Sequence, residues 1–139
     1  MNARNALFGR RLLAAIYDLL PMLGLWFLAG VIAVAVTGGR LDPHAIAARI
    51  GVPVLVIALW AAYFAYSWTH GGQTLGMRAW HVRVASGDAR PLGWSRALWR
   101  FACAAVSIAA FGIGWWWALF DPRGRALYDL ASHTLVEAG

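Results

Sequence analysis

Three long apolar runs constrain the fold of this chain more than any other feature of its sequence. They cover residues 12–37, 52–68 and 97–120, and the only charged residues inside them are Asp18 and Arg100. An α-helix needs about 20 apolar residues, within a range of about 17–25, to cross the roughly 30 Å hydrocarbon core of a bilayer. The runs therefore predict an all-α membrane protein with three transmembrane helices, the second of them at the short end of that range.

The composition supports the same conclusion. Apolar residues make up 61% of the chain and charged residues 13%, against about 45–50% and about 25% in soluble domains. A soluble domain of 139 residues could not bury so much apolar surface, because a small domain exposes a large share of its atoms. The nine tryptophans also suit membrane–water interfaces. We expect one transmembrane domain covering residues 1–139.

The first apolar run has the basic start of a signal peptide, with Arg4, Arg10 and Arg11 before it. It is, however, much longer than the 7–15 residues of a signal core, and it contains Asp18 and Pro21. The run is therefore predicted to be a retained membrane anchor.

The distribution of arginines predicts the orientation. Three precede the first run, two lie in the first loop (38–51) and four in the second loop (69–96). Cytoplasmic loops carry the excess of basic residues, so we expect the N-terminus and the second loop in the cytoplasm. Three full crossings would place the tail outside, which its own Arg123 and Arg125 do not favour.

An alternative path for the third run stays open. The glycines of Phe111-Gly-Ile-Gly114 could bend or break the helix, and the chain would then turn back to the cytoplasm. The residues after the bend, 115–120, would span only about 9 Å as helix and could not cross a bilayer. Alternating residues at 81–85 and 134–136 favour short strands. They could pair into a small β-element only if the second loop and the tail lie on one side.

Asp18 is the first candidate functional residue, since a carboxylate at the centre of a span costs about 2.5–3.5 kcal/mol. Arg11 lies seven residues earlier on the same helix face, about 10 Å away along the axis. One interpretation is a proton or cation site facing the bundle interior. The other, which we favour, is a carboxylate paired with an arginine that fixes helix packing.

Asp129 follows the third run and is a further candidate residue. It could be an ordinary polar residue of a tail in the headgroup region. It could also fold back to meet Arg11 or an arginine of the second loop, and spacing does not decide between the two.

Three segments resemble the signatures of the RDD-domain membrane proteins. They are RLLAAIYD, GGQTLGMRAWHVRV and ALFDPRGRALYDLASHT, which begin at Arg11, Gly71 and Ala118. The family is named for one arginine and two aspartates, which map onto Arg11, Asp18 and Asp129. The resemblance implies a small bacterial inner-membrane protein, with ion or solute transport proposed for the family and no reaction defined.

Two positions depart from the family pattern. Met77 stands where a lysine is common, and His133 stands where the family tends to have glycine. A histidine there places a bulkier, titratable side chain before the tail strand.

Other motifs do not point to an enzyme or a cofactor. The glycine-rich segment Gly71–Gly76 lacks the GK[ST] of a phosphate loop and is predicted to be a turn that ends the second span. The four histidines lack metal-ligand spacing, so no metal or cofactor is expected. No GxSxG segment or paired carboxylates suggest a hydrolase.

All twelve basic residues are arginine, and most of them flank apolar runs. There they can contact anionic lipid headgroups, at about 1 kcal/mol each, so the charge does not require a nucleic-acid partner. Two functions remain open from the sequence. One is a small ion or solute transport component, for which we expect a homo-oligomer because three spans enclose little of a pathway. The other is a non-transporting membrane scaffold or accessory protein in which Arg11, Asp18 and Asp129 lock the helices together.

Overall fold

The structure, a computed structural model, describes residues 3–88 and 90–139, with side chains from residue 6 onward. Two of its helices are long and apolar enough to cross a membrane. These are α1 (Ala3–Val36) and α2 (Ile46–Thr69). They confirm the first two predicted spans, although both helices begin earlier than the apolar runs. Arg10 and Arg11 therefore belong to α1 and lie before the apolar part of that helix.

The elements after α2 are short. They are α3 (Leu75–Ala79), β1 (Val82–Ser86), α4 (Trp94–Ala109), α5 (Ile113–Phe120), α6 (Leu127–Ala131) and β2 (Thr134–Ala138).

The third apolar run does not form the continuous helix that three full crossings require. It is divided into α4 and α5, whose axes are bent by 98° at the break. The break contains Phe111 at φ 58° and Gly112 at φ 72°, and the left-handed backbone stops the helical hydrogen bonding. The third predicted span is therefore not one continuous helix, and the glycine-centred bend that the sequence left open is present. Residues 3–88 and 90–139 thus contain two candidate spans, or three if the bent pair is counted as one.

The predicted β-element is confirmed. Strands β1 and β2 pair antiparallel, with Val84 opposite Val136 and Arg83 opposite Glu137. This pairing joins the second loop to the tail by backbone hydrogen bonds, so the two segments lie next to each other. The outer edge of β1 is covered by the glycine-rich turn, because the Val84 amide donates to the Gly72 carbonyl at 2.7 Å.

Two segments of the chain around this sheet are built alike. One runs from α2 to β1 and the other from α5 to β2. Each contains an apolar helix, a turn with a left-handed glycine, a five-residue helix, a left-handed histidine and a strand. Gly124 follows Gly72 by 52 residues, and His133 follows His81 by the same number. All four have positive φ, between 51° and 71°. Because Val84 and Val136 occupy equivalent positions and pair with each other, the two strands are related by an approximate local two-fold axis.

The elements that follow α2, in residues 70–88 and 90–139, form a cap. The core lies where this cap meets α1 and α2. Buried alanines of α1, α2 and α4 let these helices approach closely, and they pack with Trp68 and the inward valines of the sheet. The buried members are Ala14, Ala65, Trp68, Val82, Val84, Leu92, Ala97 and Val136. By contrast, the outer faces of α1 and α2 expose large apolar side chains along their length. Such faces suit a hydrocarbon environment rather than water.

Candidate functional site

Two groups of buried polar and charged residues connect the elements of this protein. The first is the Asp129 cluster, formed by Arg11, Arg100 and Asp129. The Arg11 guanidinium lies 2.5 Å from Oδ2 of Asp129, and the Arg100 guanidinium lies 2.5 Å from Oδ1. Asp129 is wholly buried and the two arginines are 7% and 1% exposed. One carboxylate thus connects α1, α4 and α6.

Helix α6 is also tied to this carboxylate through its own backbone. The Ala126 amide donates to Oδ2 of Asp129 at 2.9 Å, which satisfies one of the free N–H groups at the helix start. Burial disfavours the charged form of Asp129, but the positive charges of Arg100 and Arg11 outweigh it and hold the pKa of the carboxyl below its usual range. Asp129 is therefore ionised at neutral pH.

The Arg100 guanidinium also contacts two aromatic rings. Its guanidinium carbon lies 5.0 Å from the centre of the Trp68 ring and 5.1 Å from that of Tyr128. It also donates to the Thr134 hydroxyl at the start of β2. Desolvated guanidinium–aromatic contacts of this kind contribute up to about 2 kcal/mol. Arg100 therefore connects α4 to the end of α2 as well as to the tail.

Arg11 reaches one further element of the tail. Its Nη1 donates to the Gly124 carbonyl at 2.8 Å. That carbonyl is presented by a turn that Asp121 organises, since Asp121 accepts from the backbone amides of Arg123 and Arg125 at 3.0 and 2.9 Å.

The side chain of Arg125 completes this turn. It lies 3.1 Å from both carboxylate oxygens of Asp121. Hydrogen bonds from Arg125, opposed by partial burial, lower the pKa of Asp121 to about 2. The turn is therefore held by an ionised carboxylate over the whole neutral range.

The second group is the Asp18 cluster, formed by Asp18, Tyr63, Thr74 and Gly76. Asp18 is 4% exposed. It accepts from the Thr74 hydroxyl at 2.5 Å, the Gly76 amide at 2.9 Å and the Tyr63 hydroxyl at 3.2 Å. Thr74 is also the N-cap of α3. The Asp18 carboxylate therefore binds both the capping residue of that helix and, at Gly76, an amide of its first turn. Asp18 therefore connects α1, α2 and α3.

Gly76 is required for this approach. A Cβ atom at this position would overlap the Ala14 carbonyl of α1 and lie 3.0 Å from the Asp18 carboxyl carbon. Only glycine lets α3 come near enough to α1 for its amide to reach Asp18.

The structure separates residues that the sequence analysis placed together. Arg11 pairs with Asp129, as one of the two interpretations of Asp129 anticipated, and it makes no hydrogen bond to Asp18. Asp18 has no arginine partner among the side chains of residues 6–88 and 90–139, so the expected ion pair at Asp18 is not present there. The predicted centre is in fact two clusters, which meet α1 about two turns apart.

Sequence reasoning missed Arg100 as a member of the site. The signal was present, because Arg100 is the only charge in the third apolar run, and an isolated charge in such a run needs a partner. Thr74 and Gly76 could not have been found in the same way, because a threonine and a glycine in a polar loop are ordinary there.

Both carboxylates are buried and well supplied with donors. Asp129 accepts from three donors and Asp18 from three. The part of the chain that the structure describes contains no group of three His, Cys, Asp or Glu residues that could hold a metal ion. The interactions in the two clusters are hydrogen bonds and ion pairs that connect elements of the fold.

Comparisons with known proteins agree with the sequence resemblance. A search of curated proteins and a search of solved structures find no match. The model of the RDD family matches residues 5–133, which include Arg11, Asp18, Arg100 and Asp129. This match covers nearly the whole chain, and the protein therefore belongs to the RDD family.

Proposed function

We propose that this protein is a non-transporting membrane scaffold or accessory protein, in which the buried charges lock a small cytoplasmic cap onto two membrane-spanning helices. The observation that carries the proposal is the use of the two carboxylates. Every hydrogen bond described above for Asp18 and Asp129 joins that carboxylate to another element or closes its own short helix. Charges arranged in this way fix the relative positions of elements.

The enclosure of the clusters supports the same proposal. A transported ion needs a path to the carboxylate that binds it. The two cavities of the protein that we describe, of about 590 and 310 Å³, are lined by neither Asp18 nor Asp129. Breaking a buried ion pair by removing one partner costs about 3–5 kcal/mol. A carboxylate held in such a pair would therefore be unsuited to binding and releasing a transported ion repeatedly.

The arrangement of the cap supports a topology with two crossings. Because β1 and β2 are hydrogen-bonded to each other, the second loop and the tail would lie on one side of the membrane. With both in the cytoplasm, the arginines of the N-terminus, second loop and tail face the cytoplasm, while the first loop carries two. The proposed setting is a bacterial inner membrane with both termini cytoplasmic.

The bent pair α4–α5 would then lie within one leaflet. Phe8, in the part of α1 that precedes the apolar run, packs edge-on against Trp115 with 6.0 Å between ring centres. Helix α5 therefore sits beside the membrane-surface end of α1. The break exposes Phe111 at 95% and α5 exposes Phe120 at 80%, and apolar rings of this kind can enter the headgroup–acyl boundary.

One observation favours a second function, a small ion or solute transport component. Asp18 lies inside a candidate span and its described partners are all neutral, which is the environment of a site that could exchange a proton or a cation. Such a component would act as a homo-oligomer, because two spans cannot enclose a pathway.

The test is a flux measurement on purified protein in proteoliposomes. The scaffold proposal expects no pH-linked cation flux from the wild type, and a lower melting temperature for Asp18→Asn. Asp42→Asn, an exposed carboxylate of the first loop, is the matched control and should melt like the wild type. A wild-type flux that is lost in a well-folded Asp18→Asn variant, and kept in Asp42→Asn, would establish transport instead.

A further inference from the structure

A cavity of about 590 Å³ opens where α2 ends, away from both charge clusters. One wall comes from the last residues of α2 and the turn that follows it, including Trp68 and Gly72. The opposite wall comes from β1 and the segment before α4, including Arg83, Arg90 and Leu92. Volumes of about 300–1,000 Å³ are typical of small-ligand sites.

The two arginines that line this cavity carry positive charge that acidic partners neutralise only in part. Arg83 is paired with Glu137 at 2.9 Å, but both side chains are about half exposed, and exposed pairs are weak, at about 0–1 kcal/mol. Arg90 is exposed and makes no ion pair within the described residues. An anion entering the cavity would therefore meet one free guanidinium and one that is only loosely held.

The apolar part of the lining, which we call the apolar wall, comes from both of these segments and is rigid. Trp68 and Leu92 are buried at 6% and 7% exposure and belong to the main core. Trp68 is further fixed by the Arg100 guanidinium over its ring. The lining of the cavity thus combines two arginines with an apolar surface, at the end of a candidate membrane span.

We propose that this cavity binds the phosphate group of an amphiphilic organic phosphate, with Arg83 and Arg90 as its guanidinium ligands. Guanidinium groups bind phosphate oxygens in pairs of parallel hydrogen bonds. The apolar wall accepts the carbon chain next to the phosphate. Two sources share this chemistry, namely an anionic phospholipid headgroup in the cytoplasmic leaflet and a free phosphate compound. The site goes beyond the scaffold role and does not depend on it.

The experiment measures binding to the full chain in neutral detergent. The probes are a short-chain phosphatidylglycerol, a phosphatidylcholine of the same chain length, and inorganic phosphate. Affinity is followed by microscale thermophoresis. The wild type should bind phosphatidylglycerol, and Arg83→Gln/Arg90→Gln should bind it at least ten-fold more weakly with an unchanged circular dichroism spectrum.

Two single variants make the test specific. Glu137→Gln frees Arg83 and should tighten binding, whereas a purely structural role for the pair predicts no gain. Arg40→Gln removes an exposed arginine from the first loop, at the other end of α2, and should bind like the wild type. Competition by inorganic phosphate at a similar concentration identifies a free phosphate as an accepted ligand, and a lack of competition identifies the lipid.

The proposal is overturned if the double variant binds phosphatidylglycerol as the wild type does. It is also overturned if Arg40→Gln weakens binding as much as the double variant, because the attraction would then reflect overall charge. Equal binding of phosphatidylcholine and phosphatidylglycerol, with no effect of phosphate, would show an apolar pocket without an anion site.

Discussion

Arg11 and Asp129 lie 118 residues apart in the chain and form a buried ion pair, with 2.5 Å between Nη2 and Oδ2. Arg11 stands just before the first apolar run and Asp129 in the last helix, so the pair fastens the tail to the beginning of the first span. Arg100 approaches the other oxygen of the same carboxylate. The Asp129 cluster therefore holds two arginines against a single negative charge.

Because one carboxylate is the counter-charge of two buried arginines, neutralising Asp129 should destabilise the fold. In Asp129→Asn two buried arginines lose their counter-charge, and breaking a buried pair costs about 3–5 kcal/mol. We expect a lowered free energy of unfolding in detergent, measured by circular dichroism against a denaturant. Glu137→Gln is the control, because it breaks an exposed pair worth about 0–1 kcal/mol. Equal losses in the two variants would show that the Asp129 cluster does not stabilise the fold.

Acidification should destabilise the protein through Asp121 and Asp129. The folded-state pKa of Asp121 is lowered to about 2, and that of Asp129 is also lowered. Unfolded aspartate has a pKa near 3.9. The stabilisation is therefore complete above about pH 4 and is lost as the pH falls toward the folded-state values.

Melting temperatures between pH 7 and pH 2.5 check this dependence. Asp121→Asn should melt lower than the wild type at pH 7 and approach it at the acid end, since the charge is absent throughout. Arg125→Gln removes the main partner of Asp121 and should flatten the curve in the same direction. A wild-type acid slope retained in full by both variants would contradict the role of the Asp121 turn.

Gly76 should not tolerate a side chain. In Gly76→Ala the added methyl group would overlap the Ala14 carbonyl, so α3 must move away from α1 and its amide must leave Asp18. Overpacking of this kind costs about 1–3 kcal/mol. Gly51→Ala is the matched control, because nothing lies within 4 Å of a Cβ at that helical position. Thermal unfolding of the two variants side by side decides the matter, and equal melting temperatures would count against the close approach.

His133 should be replaceable by glycine with a gain in stability. Its φ is 51°, a left-handed conformation that costs about 1–2 kcal/mol for a residue with a Cβ. The extra freedom of glycine in the unfolded chain offsets about 0.5–1 kcal/mol of this gain. We expect His133→Gly to raise the free energy of unfolding by up to about 1 kcal/mol. His44→Gly, in the first loop outside the left-handed region, should lower it or leave it unchanged.

The side of the tail can be measured directly. A reporter that is active only in the cytoplasm, fused after Gly139, should be active, and one that is active only outside should be silent. The same reporters in the first loop, near Asp42, should give the opposite result. A silent cytoplasmic reporter at the C-terminus would require the bent pair α4–α5 to cross the membrane.

The sequence predicted the class of this protein and its two long helices well, because long uncharged runs have few stable alternatives to membrane-spanning helices. It also located the bend, since the glycines around Ile113 lie in an otherwise helical run. It could not decide between a bent and a straight third helix. That choice depends on whether the tail pairs with the second loop, and pairing between β1 and β2 is a long-range contact.

The candidate site was predicted in its members and not in its connections. Arg11, Asp18 and Asp129 were identified as isolated charges and by their resemblance to the RDD signatures. Helical spacing suggested that Arg11 and Asp18 share one face, which is correct for the helix but does not determine what each side chain contacts. The partner of Arg11 comes from the tail, and the partners of Asp18 come from α2, Thr74 and Gly76.

The sequence by itself therefore determined that the chain belongs in a bilayer, where its first two spans lie and which charges need partners. These are properties of local composition, because the cost of exposing apolar residues to water or a charge to hydrocarbon is set residue by residue. Only the tertiary structure decided that Asp129 serves both Arg11 and Arg100, and that Asp18 closes α3. Such pairings depend on which elements the folded chain brings within about 3 Å, the range of a hydrogen bond.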